Sequence, residues 1–301
     1  MNKFNMIEVR PQGYCGGVLK AIQIAKQCRK ENPKEKITIL GNLVHNQYVK
    51  QALKTYHIDT VENKAKTRLE LLDEIQDGIV IFTAHGVSSM VKEKAMQKHL
   101  KIYDASCPFV LSTQKIVEQK LQEGYVIFYI GKNHHPEAES IYSTSQDVHL
   151  IEKEEDIPAN ITRPIFVTNQ TTMSIYDIQF LFDAIQKRYP QAHIHDEICN
   201  ATRVRQQAIL NLKEQKVDAL IVVGDPTSNN TKQLAYIGQK AGIQNVFRVE
   251  TVNDIQLDDF ANCTTIAVTS GASTPTYLTK QILEYLKDSS HKPIIDIEKI
   301  L

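Results

Sequence analysis

Three cysteines in this chain of 301 residues stand at equal intervals. Cys15 and Cys107 are 92 residues apart, and so are Cys107 and Cys199 (107 − 15 and 199 − 107). Their surroundings repeat with them. Each cysteine follows a short strand-like run ("MIEV", "KIYD", "HIHD") and precedes a stretch with helical spacing of apolar residues. A second strand-like run ends in Gly41, Gly131 or Gly224, with His45, His135 or Ser228 four residues further on. A third ends near Thr83, Thr168 or Thr269. Its following loop reads "AHGVSS", "NQTTMS" or "SGASTP", offering His85, Thr171 with Thr172, and Ser273 with Thr274. Equal spacing of cysteines can be coincidence; three matched features per unit are much harder to produce that way. A period this long is not that of a solenoid, whose repeats run about 20–50 residues.

Apolar runs at 37–40, 78–82, 125–130, 164–168, 219–224 and 265–269 alternate with helical patterns at 18–30, 47–56, 88–99, 110–123, 174–188, 203–215, 231–242 and 276–287. This alternation predicts an α/β fold with largely parallel sheets. With the repeat, it predicts three similar small α/β domains in a pseudo-threefold trefoil: 16–106, 107–198 and 199–301. Strand 1–15 completes either the first or the third. Ligands of open α/β sheets sit beyond the carboxyl ends of the strands. The three cysteines are therefore expected to converge on one centre ringed by six polar loops.

Lys plus Arg equals Asp plus Glu at 35 each, so no net field draws nucleic acid or an anionic membrane. No apolar run approaches a membrane span, and "MNKFNMIEVRPQ" lacks the apolar core of a signal peptide, which points to the cytoplasm. Five cysteines, an odd number with no CxxC pair, argue against a disulfide framework and a zinc ribbon.

In "GYCGGVLKAI" a thiol stands at a helix start, where partial positive charge favours a thiolate, and Gly16 and Gly17 let the backbone approach a large group. A lone cysteine there also serves as a small apolar residue. Three converging thiolates suit a soft metal: zinc with a fourth ligand from histidine, or an iron–sulfur cubane with one iron open to substrate. Around them His45, His85, His135, Ser228, Asn230 and Ser273 are hydrogen-bond donors near helix starts, a pocket for phosphate or diphosphate. Neither GxxxxGK[ST] nor GxGxxG occurs. Glu137, two residues past His135 on the loop before a helix, is placed to pass a proton, although a carboxylate there also serves the helix dipole. Cys28, Cys263 and the five histidines at 57, 99, 149, 193 and 195 have no place in the repeat and read as structural.

The motifs "GYCGGV", "NLVHNQYV", "FTAHGVS", "DASCPFV", "GKNHHPEAE", "TNQTTMS", "DEICNATRVRQ" and "TSGASTP", in this order over about residues 7–287, resemble the 4-hydroxy-3-methylbut-2-enyl diphosphate reductases of the non-mevalonate isoprenoid pathway. The resemblance implies a [4Fe–4S] cluster on Cys15, Cys107 and Cys199, with one iron not held by cysteine. It implies diphosphate binding by His45, His85, His135, Ser228, Asn230 and Ser273, with Asn229 and Thr172 close by. It makes Glu137 the proton-relay acid and Thr171 the residue that orders the substrate hydroxyl or a water. The reaction implied is reductive dehydroxylation to isopentenyl and dimethylallyl diphosphate. With no flavin or nicotinamide motif present, the electrons are expected from an external ferredoxin or flavodoxin. A zinc hydrolase of a phosphorylated substrate and a non-catalytic iron–sulfur sensor are the alternatives.

Overall fold

The computed structural model describes residues 4–301. Among the described residues twelve strands form three four-stranded sheets, parallel throughout. In the first, β1 (Asn5–Glu8) lies beside β12 (Thr265–Ser270), followed by β10 (Ala219–Val223) and β11 (Asn245–Val249). The second runs β3 (Ile58–Val61), β2 (Ile37–Leu40), β4 (Ile79–Phe82), β5 (Lys101–Asp104). The third runs β7 (Val148–Ile151), β6 (Val126–Ile130), β8 (Ile165–Asn169), β9 (His193–Ile194). The order is the same in each, so these are three α/β domains. The strand leading to each cysteine is the edge strand of the preceding domain's sheet, and β1 takes that place in the last one.

Among the described residues there are ten α-helices, nine between strands and the tenth after β12: α1 Gly16–Glu31, α2 Gln47–Thr55, α3 Arg68–Leu71, α4 Ser89–Gln97, α5 Pro108–Gln122, α6 Pro136–Tyr142, α7 Ile175–Arg188, α8 Asn200–Leu210, α9 Asn229–Lys240 and α10 Thr276–Lys287. By compactness the chain divides into two units. One is Met1–Val18, His45–Ala52 and Asn200–Leu301, built on the β1 sheet; the other is Leu19–Val44 and Leu53–Cys199, built on the other two. Among the described residues no helix is long and apolar enough to cross a membrane.

The two central strands of each sheet are covered on both faces, and β2, β4, β6, β8 and β10 are buried along their whole length. Continuous runs such as "IVIF", "VIFYI" and "ALIVV" are what such burial requires. In the first unit Ile221, Val223, Ile266 and Val268 pack with Ile282 and Leu286 of α10. In the second, Val80 and Phe82 pack with Val91 and Ala95 of α4, and Phe128 and Val167 with Ile178 and Leu181 of α7.

The edge strands β3, β7 and β11 were not expected. They are half-exposed and four or five residues long, and their sequences "IDTV", "VHLI" and "NVFRV" lack a sustained apolar run. Short α3 and α6 were not expected as helices either. At 4 and 7 residues, both fall below the length at which apolar periodicity is readable.

Gly78 sets the entry to β4 with φ +85°, and a Cβ there would fall 2.5 Å from the Lys36 carbonyl oxygen, which accepts the Ile79 N–H. Gly124 has the same φ of +85° with no atom within 4 Å of a built Cβ. Gly124→Ala therefore costs only the left-handed strain, about 1 kcal/mol. Gly78→Ala adds a backbone clash and is expected to cost about 3 kcal/mol or more. Urea-unfolding midpoints of the two variants check this ordering.

Candidate functional site

All three repeat cysteines occupy one local arrangement. Each stands directly before a helix: Cys15 before α1, Cys107 as the N-cap of α5 with Pro108 following, and Cys199 before α8. Each donates its backbone N–H to the carbonyl two residues past the end of a central strand. Cys15 bonds Ala272 at 2.9 Å, Cys107 bonds Ala84 at 3.0 Å and Cys199 bonds Thr171 at 3.2 Å. The residue after each of these carbonyls is a polar residue singled out by the sequence: Ser273, His85 or Thr172.

In the first unit Cys15 is tied in this way to the donor cluster. Ala272, whose carbonyl accepts from Cys15, donates its N–H to Asn230 Oδ1 at 2.9 Å. That bond assigns the amide oxygen and leaves Nδ2 as the donor end, 3.4 Å from Thr202 Oγ1. Ser228 caps α9, its Oγ accepting the Thr231 N–H at 3.3 Å. Asn229 and Asn230 form the first turn of this twelve-residue helix, two residues earlier than the pattern 231–242 implied. The helix start thus presents backbone N–H groups and a positive dipole end beside amide donors. Ser273 Oγ donates to the His45 carbonyl at 2.9 Å, fixing the loop that carries that imidazole.

The second unit holds Cys107, Cys199, His85, His135, Glu137, Thr171 and Thr172. Glu137 is 3% exposed and lies in the first turn of α6, not on the loop expected to precede a helix. Pro136 at the first helical position and His135 as cap start the helix early. His135 Nδ1 accepts the Glu137 N–H at 3.2 Å, so the neutral ring carries its proton on Nε2. Glu137 Oε1 accepts the Thr171 N–H at 2.7 Å and Oε2 accepts the Thr171 hydroxyl at 3.1 Å. Burial pushes its carboxyl up to about 7. The two Thr171 bonds pull the other way, and the Glu197 charge adds to the rise. The His85 and His135 rings meet edge to face with centroids 5.6 Å apart. Gln114 of α5 bridges the segments after these histidines, donating from Nε2 to the Val87 carbonyl at 3.2 Å and to Ser140 Oγ of α6 at 2.9 Å.

Gln170 was not singled out from the sequence. It is fully buried, its Oε1 accepts the Lys132 N–H at 3.0 Å, and its Nε2 donates to Thr172 Oγ1 at 3.1 Å. It thereby orients one of the expected substrate residues. Its place in "TNQTT" is the only sequence signal for it. Cys28, read as structural, is fully buried in α1.

An iron–sulfur cluster fits the donor set. None of the five cysteines is in a disulfide, and Cys15, Cys107 and Cys199 are partly exposed at helix starts. Beside Cys15, a Cβ built on Gly16 meets nothing within 4 Å beyond its chain neighbours and its own helix backbone. Soft sulfur donors at positive helix ends match such a group in hardness and in charge.

The fold and site define a class: an α/β protein of three parallel-sheet domains, with thiol, imidazole and carboxyl groups beyond its strand ends. The LytB protein family model matches residues 6–287, and the chain belongs to this family. It is similar to the 4-hydroxy-3-methylbut-2-enyl diphosphate reductase of Exiguobacterium sp., with 42% identity over 98% of this chain and 96% of that protein. The same-named protein of Bacillus mycoides is 45% identical over 93% of this chain and 89% of its own length. The solved structure of the E-1-hydroxy-2-methyl-but-2-enyl-4-diphosphate reductase from Plasmodium falciparum matches with a TM-score of 0.88 at 29% identity, covering 99% of this chain and 96% of that one.

The Thr171 hydroxyl favours the ionised form of Glu137, so Thr171→Val is expected to raise the carboxyl further above 7. The pH dependence of the protonated-carboxyl infrared band, identified by its loss in Glu137→Gln, reads this shift directly.

Proposed function

We infer that this chain reduces 4-hydroxy-3-methylbut-2-enyl diphosphate to isopentenyl and dimethylallyl diphosphate, consuming two electrons and two protons and releasing water. The family membership supplies the reaction. The observation that carries the chemistry is the Glu137 carboxyl, pushed up to about 7 by burial against two hydrogen bonds from Thr171, two residues past β8.

Cys15, Cys107 and Cys199 would hold a [4Fe–4S] cluster. When bound, it supplies electrons one at a time and a Lewis-acidic iron with no cysteine ligand. Every other part of the reaction falls to side chains. Ser228, Asn229 and Asn230 take the diphosphate at the start of α9, where the positive end of the helix dipole favours an anion. His45, His85, His135 and Thr172 complete the donor set, with His135 donating from Nε2, and Ser273 joins it by turning its hydroxyl from the His45 carbonyl to the anion. Glu137 holds the proton that converts the departing hydroxyl to water. Thr171 donates its own hydroxyl proton to Glu137, so its oxygen is turned to accept from the substrate hydroxyl or a water. A half-ionised acid at neutral pH suits general-acid work, since it is protonated in quantity and still releases its proton readily. The domains of this reading are 16–106, 107–198 and 199–301, with strand 1–15 assigned to the third. An external ferredoxin- or flavodoxin-like protein delivers the electrons, and five cysteines with no CxxC pair suit the cytoplasm.

Turnover of the allylic diphosphate by anaerobically purified protein, with a chemical reductant and mass-spectrometric detection of the C5 products, tests this reading. Glu137→Gln is expected to keep its iron and bind substrate while losing about 10²–10⁴-fold in kcat. Wild-type turnover in that variant removes Glu137 from the mechanism. Cys107→Ser is expected to lose iron and activity together. Because Glu137 must be protonated to act, the wild-type rate is expected to fall as pH rises through about 7 and to lose this inflection in Glu137→Gln.

A further inference from the structure

Glu197, in the segment leading to Cys199, makes more contacts than a surface carboxylate needs. Its side chain is 12% exposed. Oε2 accepts the hydroxyl of Thr113, a buried residue of α5, at 3.1 Å. Oε1 lies 2.8 Å from His195 Nε2, and that imidazole stacks on Phe166 with ring centroids 5.9 Å apart. The Glu197 backbone N–H goes to Asn169 Oδ1 at 3.0 Å, and Asn169 Nδ2 donates to the Gln170 carbonyl at 3.1 Å. One residue therefore joins the helix that starts after Cys107, the end of β8 and the approach to Cys199.

The Cys199 segment is the one that needs such support. Its strand, β9, has two residues, whereas β1 and β5 have four each. Its backbone bond to the loop carbonyl, at 3.2 Å, is also the longest of the three.

We propose that Glu197 is a positioning residue that clamps the Cys199 segment to the Cys107 helix and so fixes the separation of those two thiols. The inference rests on the reading that both thiols hold the cluster. Its geometric content concerns the protein alone and can be tested without the cluster. The anchored carboxylate compensates for the short strand, since a pair of hydrogen bonds on neighbouring elements removes freedom that two ladder residues leave in place.

The test is peptide-resolved alkylation of apo-protein by iodoacetamide, followed by mass spectrometry, with Cys15 as internal reference. Glu197→Ala is expected to raise the Cys199 rate roughly five-fold relative to Cys15, equivalent to one lost hydrogen bond of about 1 kcal/mol. Thr113→Val, which leaves the charge in place, is expected to move Cys199 the same way. The double variant is expected to gain much less than the product of the two single effects, because both remove one contact. Glu197→Gln, which keeps an acceptor of the same shape, is expected to stay within two-fold of wild type. In reconstituted protein, Glu197→Ala is expected to lose iron to a chelator faster by a similar factor. Wild-type alkylation of Cys199 in both single variants overturns the clamp, as does an equal rise at Cys15 and Cys199. So do single effects that simply multiply. Failure of wild-type protein to take up a cluster at all would instead strike the functional reading and leave the alkylation result standing.

Discussion

Everything near the site hangs on three backbone hydrogen bonds, those from the cysteine amides to Ala272, Ala84 and Thr171. A parallel sheet ends with N–H and carbonyl groups that the ladder no longer pairs. Here each unpaired carbonyl beyond a central strand is taken by a cysteine N–H arriving from the edge strand beside it. The bond does two things at once. It closes the sheet end, where an unsatisfied group would be costly, and it sets a thiol next to the loop residue that follows the carbonyl. Sulfur and polar donor are therefore placed by the main chain, three times over. Side-chain packing only has to refine the result.

The Glu137 carboxyl illustrates how narrow the balance at such a place is. Full burial alone would hold it protonated well above neutrality, and two donors from one threonine alone would hold it ionised. The two effects oppose each other, and the carboxyl comes to rest where a proton is available and transferable. The threonine supplies both donors from one residue, through backbone N–H and hydroxyl, so their geometry is fixed by a single set of backbone angles. The same residue's carbonyl accepts from Cys199, which couples the acid's environment to the position of a thiol.

Much of this was legible in the residues. The 92-residue interval marks the repetition of one unit, and the fully apolar central strands follow from burial on two faces, which leaves an unambiguous pattern. The loop positions of His45, His85, Ser228 and Ser273 followed from strand ends alone. What escaped has physical reasons. Edge strands such as β11 are covered on one side at most, so "NVFRV" carries charge and apolar residues together. Glu137 read as a loop residue because a seven-residue helix started by His135 and Pro136 is shorter than two full periods of its pattern. Gln170 and Glu197 act through hydrogen bonds to residues 38 and 84 positions away, and no local pattern encodes such partners. The strand before Cys15 fitted either the first or the third sheet by spacing, and only its pairing with β12 distinguishes the two.

That pairing has a consequence for how the protein is made. Gly13 donates to Ser270, a partner 257 residues later in the chain. At ribosomal speeds of about 5–20 residues per second, roughly 13 to 50 s pass between the synthesis of the two. During that time β1 and the segment running to Cys15 have no sheet to join, while the other two sheets gain their last strands, β5 and β9, well before β12 is made. The amide that anchors Cys15 finds Ala272 only when β12 has been added. Of the three repeat thiols, the first to be translated is thus the last to be held in place, and insertion of any metal group that needs all three must wait until β12 and the loop after it have been made.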